Sequence, residues 1–243
     1  MTSTPPRKHR SLVESPYFRR NKSAELGLAE LDQLTERLMQ LKPTLIQEVV
    51  SDDPWKLLVA VTLLNKTAGK LAIPVFWDIL ATWPTAWALS QAAEPDLVAF
   101  ILPLGTQNVR AKRLIDLSRA YLLDPPSRRD ERPSRAVGPP MSPRKRAKYP
   151  PTAISHLPGA GVYALDSYRV FCSGPFSEEW KDVAPSDKEL IRYLKWKWAA
   201  LENKQWAPET GPLRTADIPY LKNLISELEL HSASRNKLGG MYV

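Results

Sequence analysis

Cysteine and histidine are scarce in this chain of 243 residues, which holds one cysteine and three histidines. The lone Cys172 cannot form an internal disulfide or supply a four-thiolate metal site, and His9, His156 and His231 lie far apart in the sequence. A bound transition metal is therefore not expected, and we predict that the protein works without a cofactor. Cys172 is expected to be a small buried side chain.

Long apolar runs are also missing. No stretch approaches the ~20 apolar residues needed to cross a bilayer, and the first residues, MTSTPPRKHRS, are polar and basic. We expect neither membrane association nor secretion. With 43% hydrophobic and 25% charged residues, the chain has the composition of a globular protein, and we expect a monomer.

Acidic residues are outnumbered by basic ones, 26 to 34, which gives a formal charge of +8. This excess favours a polyanionic partner, because each Lys or Arg that neutralises a phosphate releases a counterion. Much of the excess lies at 125–149, where eight basic residues stand against two acidic ones among six prolines. We predict a flexible insertion there, since this composition cannot bury a core.

Strict alternation of apolar and polar residues is rare, and apolar residues recur at helical spacing along most of the chain. The sequence therefore predicts an all-α protein. Residues 1 to about 23 are expected to be a disordered basic arm. Helices are predicted at 24–41, 54–64, 70–82, 85–92, 94–101, 108–123, 188–201 and 216–230, with a short one after Pro43 and another after Gly161.

The predicted domain organisation has three parts. These are a basic, largely disordered arm at 1–42, a main domain at 43–205 that contains the 125–149 insertion, and an extension at 206–243 with one helix.

In the 108–123 helix, Leu114, Leu117 and Tyr121 share one face and Arg110 lies mostly outside it. Four tryptophans with apolar neighbours are expected in the core: Trp55, Trp77, Trp83 and Trp87.

A short glycine-containing segment, LPGAG at 157–161, precedes the helix that begins at Val162. Two glycines on their own indicate only a turn. Here they are expected to link a preceding helix to a following one whose first N–H groups point outward, which makes a site for a phosphate. The pattern resembles the helix-hairpin-helix element of the DNA glycosylase superfamily, and it implies backbone contacts to DNA from Gly159, Gly161 and Val162.

Four further strings strengthen this resemblance: DPWKLLVAVTLLNKTAGKLAIPVFW, LPLGTQNVRAKR, YALDSYRVFC and WKDVAPSDKEL. Their order and spacing resemble the catalytic domain of the methyl-CpG-binding-domain thymine glycosylases over about 43–205, outside the insertion. The resemblance implies a two-lobed helix-hairpin-helix fold that removes thymine or uracil opposite guanine in double-stranded DNA and so initiates base-excision repair. The sequence shows no methyl-CpG-binding domain.

Cleavage of an N-glycosidic bond builds positive charge on the sugar and calls for an ionised carboxylate that can also orient a water. Asp166 and Asp187 are the candidates. A helix start favours the charged form of Asp187, and the resemblance places the catalytic aspartate there as well. Without the resemblance, the residues favour Asp187 as a helix cap. Asp166 is expected to hold the hairpin through backbone hydrogen bonds.

Tyr163 stands where lyase-type relatives carry a Schiff-base lysine. A phenol cannot form an imine, so the resemblance implies hydrolysis without strand cleavage, with Tyr163 contacting the extruded base. It also places Gln47 at the base edge, with Ile46 beside it in the pocket, because an amide can both donate to and accept from a pyrimidine. From spacing alone, Tyr163 is as well explained as a core residue and Gln47 as a solvated one.

The resemblance assigns the filling of the vacated stack to two loops. Lys66 takes the place of an intercalating arginine and Thr106 that of a leucine wedge, with Gln107 next to it.

Two alternatives to this function stay open: excision of another damaged base, or a non-catalytic DNA-binding module. SPRKRAKYP at 142–150 is a solvated charge run, a nuclear-import signal or a DNA tether. We expect a nuclear protein whose basic insertion contacts repair partners.

Overall fold

The computed structural model describes residues 16–134 and 149–237 of the chain. Ten α-helices and one two-stranded sheet occur in this part: α1 Pro16–Gln40, α2 Ile46–Val49, α3 Pro54–Leu64, α4 Gly69–Thr82, α5 Ala86–Ser90, α6 Glu94–Ile101, α7 Gln107–Leu123, α8 Val162–Phe171, α9 Lys188–Glu202, β1 Lys204–Ala207, β2 Gly211–Thr215 and α10 Ile218–Lys237. Short 3₁₀ turns lie at Leu102–Leu104 and Glu179–Asp182. The prediction of a mostly helical protein is confirmed.

Helix α3 is the centre of the fold. Asp53 caps it by accepting hydrogen bonds from the backbone N–H groups of Trp55 and Lys56, and Pro54 occupies the first turn, where its missing N–H costs nothing. All but three of its eleven residues are buried. Since α3 contacts α4, α7 and α8, most of its surface is covered, which explains why it is apolar apart from Lys56 and Thr62.

The buried apolar side chains form two clusters. The first is built around α3, α4 and α7, and the second contains residues of α1, α9, β1 and α10. Tyr163 and Phe171 of α8 pack against both clusters. Helix α8 therefore lies between them, and a residue at its start is close to both.

The ends of the described chain differ from the predicted arm and extension. Helix α1 begins at Pro16, within the stretch predicted to be disordered up to residue 23, and residues 1–15 lie outside the described part. Leu38 of α1 is fully buried, and α10 packs on α1 and α9, with an ion pair between Arg37 and Glu229 at 2.7 Å. Packing therefore continues across 42/43 and 205/206, and the division into three parts stays a prediction.

The flanks of the predicted insertion are held in place. Arg132 pairs with Thr152 in an isolated antiparallel bridge, and the Ser134 hydroxyl donates to the Tyr149 carbonyl at 3.1 Å. These contacts lie within the segment predicted to be flexible, and its flexibility stays a prediction. Residues 135–148, which include most of SPRKRAKYP, lie outside the described part, so the import signal and the partner site remain predictions.

Two further expectations fail outside the main core. The hairpin of β1 and β2 was not predicted, because its strands are only four and five residues long. Trp55 is buried as expected, but Trp77 is 39% and Trp87 67% exposed.

Cys172 is buried, as predicted. None of the helices described is both long and apolar enough to cross a membrane.

Candidate active site

A cleft of about 960 Å³ opens beside α8, and five of the predicted site residues line it. These are Ile46, Gln47, Lys66, Tyr163 and Asp187. They come from α2, the turn after α3, the start of α8 and the start of α9. Residues that are up to 141 positions apart in the sequence therefore share one concave surface, as a binding site requires.

Asp187 is the N-cap of α9, and a single oxygen does the capping. Its Oδ1 accepts hydrogen bonds from the backbone N–H groups of Glu189 and Leu190, both at 3.0 Å. The other oxygen, Oδ2, has no hydrogen bond to any residue in the described ranges. The side chain is half-buried at the cleft wall. The capping role and a free carboxylate oxygen therefore coexist in one residue.

Tyr163 and Gln47 are joined across the cleft. The Gln47 side-chain amide donates to the Tyr163 hydroxyl at 2.7 Å, and Gln47 is only 2% exposed. The interpretation of Gln47 as a solvated residue is therefore wrong. Burial raises the pKa of the Tyr163 phenol, and the negative charge of Asp187 raises it further, so the phenol stays neutral and can donate its own proton.

Asp166 lies in a different environment. It is 3% exposed and does not line the cleft, and its Oδ1 accepts from the Tyr149 hydroxyl at 2.6 Å rather than from backbone, which corrects the expectation. Burial raises the pKa of Asp166 to about 6, although Tyr149 and Arg169 oppose the shift. Of the two aspartates, only Asp187 faces the cleft.

The two glycines before α8 have different roles. Gly159 has a φ of +84°, and a Cβ there would lie 3.1 Å from the Cδ of Arg113, so the position requires glycine. Gly161 is the N-cap of α8 with an ordinary φ of −82°, and a Cβ there would meet no atom within 4 Å. The space beside the Gly161 Cα at the start of α8 is therefore open, and Val162 next to it is exposed.

The segment before the glycines is not the expected helix. Residues 153–159 form a series of turns, and the chain enters α8 from them. The helix-hairpin-helix arrangement therefore stays a prediction.

The two predicted stack-filling loops both have unusual backbone. Lys66 has a φ of 59° and Thr106 a φ of 49°, in the left-handed region that most side chains avoid. Both are exposed, and Gln107 follows as the first residue of α7. Lys66 lines the cleft, whereas Thr106 and Gln107 do not.

The structure adds residues that the sequence did not single out. Arg110 of α7 is only 8% exposed and contacts both loops. Arg110 follows Thr106, the N-cap of α7, by four residues, and this helical spacing could have indicated their contact. Leu228 and His231 of α10 also line the cleft.

The cleft carries positive charge that is not neutralised locally. Lys66, Lys70 and Lys188 are exposed at its wall, and none forms an ion pair with another residue in the described part of the chain. Glu189, by contrast, is paired with Arg192 at 2.6 Å. Such a surface attracts a polyanion. Within residues 16–134 and 149–237, no group of three or more His, Cys, Asp or Glu side chains could hold a metal ion.

Comparison with known proteins points to one kind of enzyme. No family model matches the chain. It is 31% identical over 149 residues to a methyl-CpG-binding domain protein 4-like protein of Arabidopsis thaliana, 40% identical over 67 residues to a thymine-DNA glycosylase of Aeropyrum pernix, and 28% identical over 162 residues to a thymine/uracil-DNA glycosylase of Pyrobaculum aerophilum.

These matches cover 61%, 28% and 65% of the chain, and 27%, 30% and 58% of the respective relatives. The chain thus spans less than two thirds of each relative's length. The similarities support a DNA glycosylase catalytic domain.

Proposed function

We propose that the chain is a monofunctional DNA glycosylase that removes thymine or uracil opposite guanine. The observation that carries the proposal is the Asp187 carboxylate, which caps α9 through one oxygen, has no hydrogen bond to the other oxygen among the described residues, and lies on the wall of a cleft shared with Tyr163 and Gln47. The similarity to thymine and thymine/uracil glycosylases supports the same substrate class.

Asp187 acts on the sugar. As the C1′–N bond breaks, the bonding electrons leave with the base and positive charge develops on the deoxyribose, which the carboxylate stabilises. A water oxygen then bonds to C1′ and gives up a proton to Asp187. The departing base takes up a proton, and an abasic site remains.

The base is held by Gln47, Tyr163 and Ile46. Gln47 has an amide that can both donate and accept, as the imide edge of thymine or uracil demands. Ile46 is 4% exposed and supplies an apolar contact to the ring. Since Tyr163 is already bonded to Gln47 at 2.7 Å, the two side chains are oriented before the base arrives.

The DNA backbone and the vacated stack are contacted from outside the pocket. The amides around Gly161 and Val162 hold a phosphate at the start of α8, while Gly159 provides the turn that presents them. Lys66 and Thr106, with Gln107, support the duplex from which the base has been extruded, a step that is least costly at a mismatch.

The absence of lyase action follows from the residue at 163. A phenol cannot form the imine through which a lysine would open the sugar. We therefore expect an intact strand after base removal, with a break only on treatment with alkali.

Single-turnover excision on duplexes with G·T, G·U, A·T and A·U pairs tests the proposal, each sample being divided between direct analysis and alkali. Excision from G·T and G·U that appears only after alkali is expected. Breaks before alkali would overturn the monofunctional assignment, and equal rates on A·U would overturn mismatch specificity. Tight mismatch binding without excision of any base would instead establish a binding module.

A further inference from the structure

The buried guanidinium of Arg110 joins two loops that are about 40 residues apart in the sequence. From α7 it donates four hydrogen bonds: Nη1 to the Leu63 carbonyl at 2.9 Å, Nη2 to the Asn65 carbonyl at 3.0 Å and to the Thr67 hydroxyl at 2.7 Å, and Nε to the Thr106 hydroxyl at 3.0 Å. One of these bonds reaches the last turn of α3, two reach the turn that follows α3, and the fourth holds the residue before α7.

These bonds enclose the strained positions. Asn65 and Thr67 flank Lys66, and Thr106 is itself bonded. Left-handed backbone at a residue other than glycine costs ~1–3 kcal/mol and persists only where the surroundings enforce it. Within the described ranges, Asn203 at the end of α9 is the one further case. Two of the three cases therefore border a single side chain.

All four acceptors of Arg110 are neutral. No carboxylate pairs with it among the residues that the structure describes, although an unpaired buried charge is costly. Burial and the nearby charge of Arg113 both lower the pKa of Arg110. A guanidinium retained at this cost adds positive potential next to the Lys66 turn. An approaching phosphate backbone would lower the cost of burying that charge.

We infer that Arg110 is a positioning residue that fixes the Lys66 turn and the Thr106 loop to each other, so that both enter the DNA as one rigid unit. The inference rests on the proposed function, because it assigns these loops to the extruded state of the duplex. Lysine cannot replace arginine here, since its ammonium is a point donor and the four acceptors are arranged around a planar fork.

The first test does not depend on catalysis. Amide hydrogen exchange is compared between the parent protein, Arg110→Lys and the control Arg119→Lys. Arg119 lies on the same helix and, among the described residues, has the Ser90 carbonyl as its single hydrogen-bond partner. Faster exchange in both 64–68 and 104–107, by about tenfold or more, is expected for Arg110→Lys alone. Unchanged exchange in either loop would overturn the inference.

The second test reads base extrusion. In an Asp187→Asn background, 2-aminopurine next to a G·T mismatch should brighten on saturation with protein, and Arg110→Lys should reduce that increase at least about twofold. With Asp187 intact, the same change should slow single-turnover excision by about tenfold or more. An unchanged fluorescence increase would refute the positioning role.

A milder variant distinguishes loss of loop positioning from loss of folding, and the activity of the parent protein distinguishes failure of this inference from failure of the proposed function. Thr67→Val removes one acceptor and keeps the charge, so it should show the same loss in part if Arg110→Lys proves unstable, and no loss would count against the inference. If the parent excises no base, the proposed function fails while the exchange data still decide whether Arg110 couples the loops.

Discussion

Replacing Asp187 by asparagine separates its two roles. The side-chain oxygen of the introduced asparagine can still accept from the backbone N–H groups of Glu189 and Leu190, which now bond to Oδ1 at 3.0 Å. Asn and Asp are about equally good N-caps, and the lost charge at the helix start is worth only ~0.3–1 kcal/mol. The free energy of unfolding should therefore fall by less than ~1 kcal/mol.

The effect on excision should be much larger. At a separation of about 4 Å and an effective dielectric constant of about 20, a carboxylate stabilises a full positive charge by ~4 kcal/mol. Since each ~1.4 kcal/mol of activation free energy is a factor of ten in rate, loss of the charge should slow base release about 10³-fold. The water would also lose its proton acceptor, which adds to the expected loss.

The chain contains a matched control for this experiment. Asp53 caps α3 through one oxygen in the same way but does not line the cleft. Asp53→Asn and Asp187→Asn should have similar small effects on thermal unfolding, and only the second should slow single-turnover excision from a G·U duplex. Mismatch binding, measured by fluorescence anisotropy, should persist in both.

Two results would contradict this reasoning. Excision by Asp187→Asn within about threefold of the parent rate would show that the free oxygen does not act on the sugar. Equal losses of activity in both variants would show that Asp187 acts only through the stability of α9.

Three other changes have outcomes that the structure fixes in direction. Gly159→Ala should destabilise the fold by ~1–3 kcal/mol because its φ is +84°, and thermal unfolding checks this. Gly161→Ala should lower stability by only ~1 kcal/mol and should weaken DNA binding in anisotropy titrations, since its Cβ would project into the open space before α8. Burial raises the pKa of Asp166 from 3.8 to about 6, so the folded state holds an extra proton between these pH values and stability is lost as the pH rises through about 6. Asp166→Asn should therefore be more stable than the parent protein at pH 8, by ~1–3 kcal/mol in denaturant unfolding. The two proteins should differ least below pH 4. Tyr163→Phe removes the acceptor of a buried Gln47 amide, so it should cost ~1–3 kcal/mol of stability and reduce the preference for thymine and uracil in a competition assay against other mispaired bases.

Helices with strong local signals could be predicted closely from the sequence. Asp53 and Pro54 mark the capped start of α3, and apolar spacing marks α9. Both signals depend on residues that are neighbours in the sequence, so they can be recognised from the sequence alone. The start of α1 was missed because the stretch before it is polar and its helical state depends on packing elsewhere. The β1 and β2 strands are too short to show a period.

The site was predictable where one residue could be tied to one chemical role. Asp187 combines a capping position with a required negative charge, and both can be argued from sequence. The contact between Gln47 and Tyr163 spans 116 positions, and no local pattern records it. Arg110 is predicted mostly outside the apolar face of its helix, because charged residues are rarely buried unless they are bonded. Three of its four hydrogen bonds go to residues 63–67, which no local pattern around Arg110 indicates.

The pairing of α1 with α10 determines how short a working fragment can be. Leu38, Leu221 and Leu224 are each at most 3% exposed within one apolar cluster, and Leu228 and His231 form part of the cleft wall. A truncated protein that kept only 43–205 would lose the Leu38 carbonyl to which the buried Trp196 indole donates and would remove a wall of the cavity. A recombinant fragment should therefore retain everything from Pro16 to Lys237.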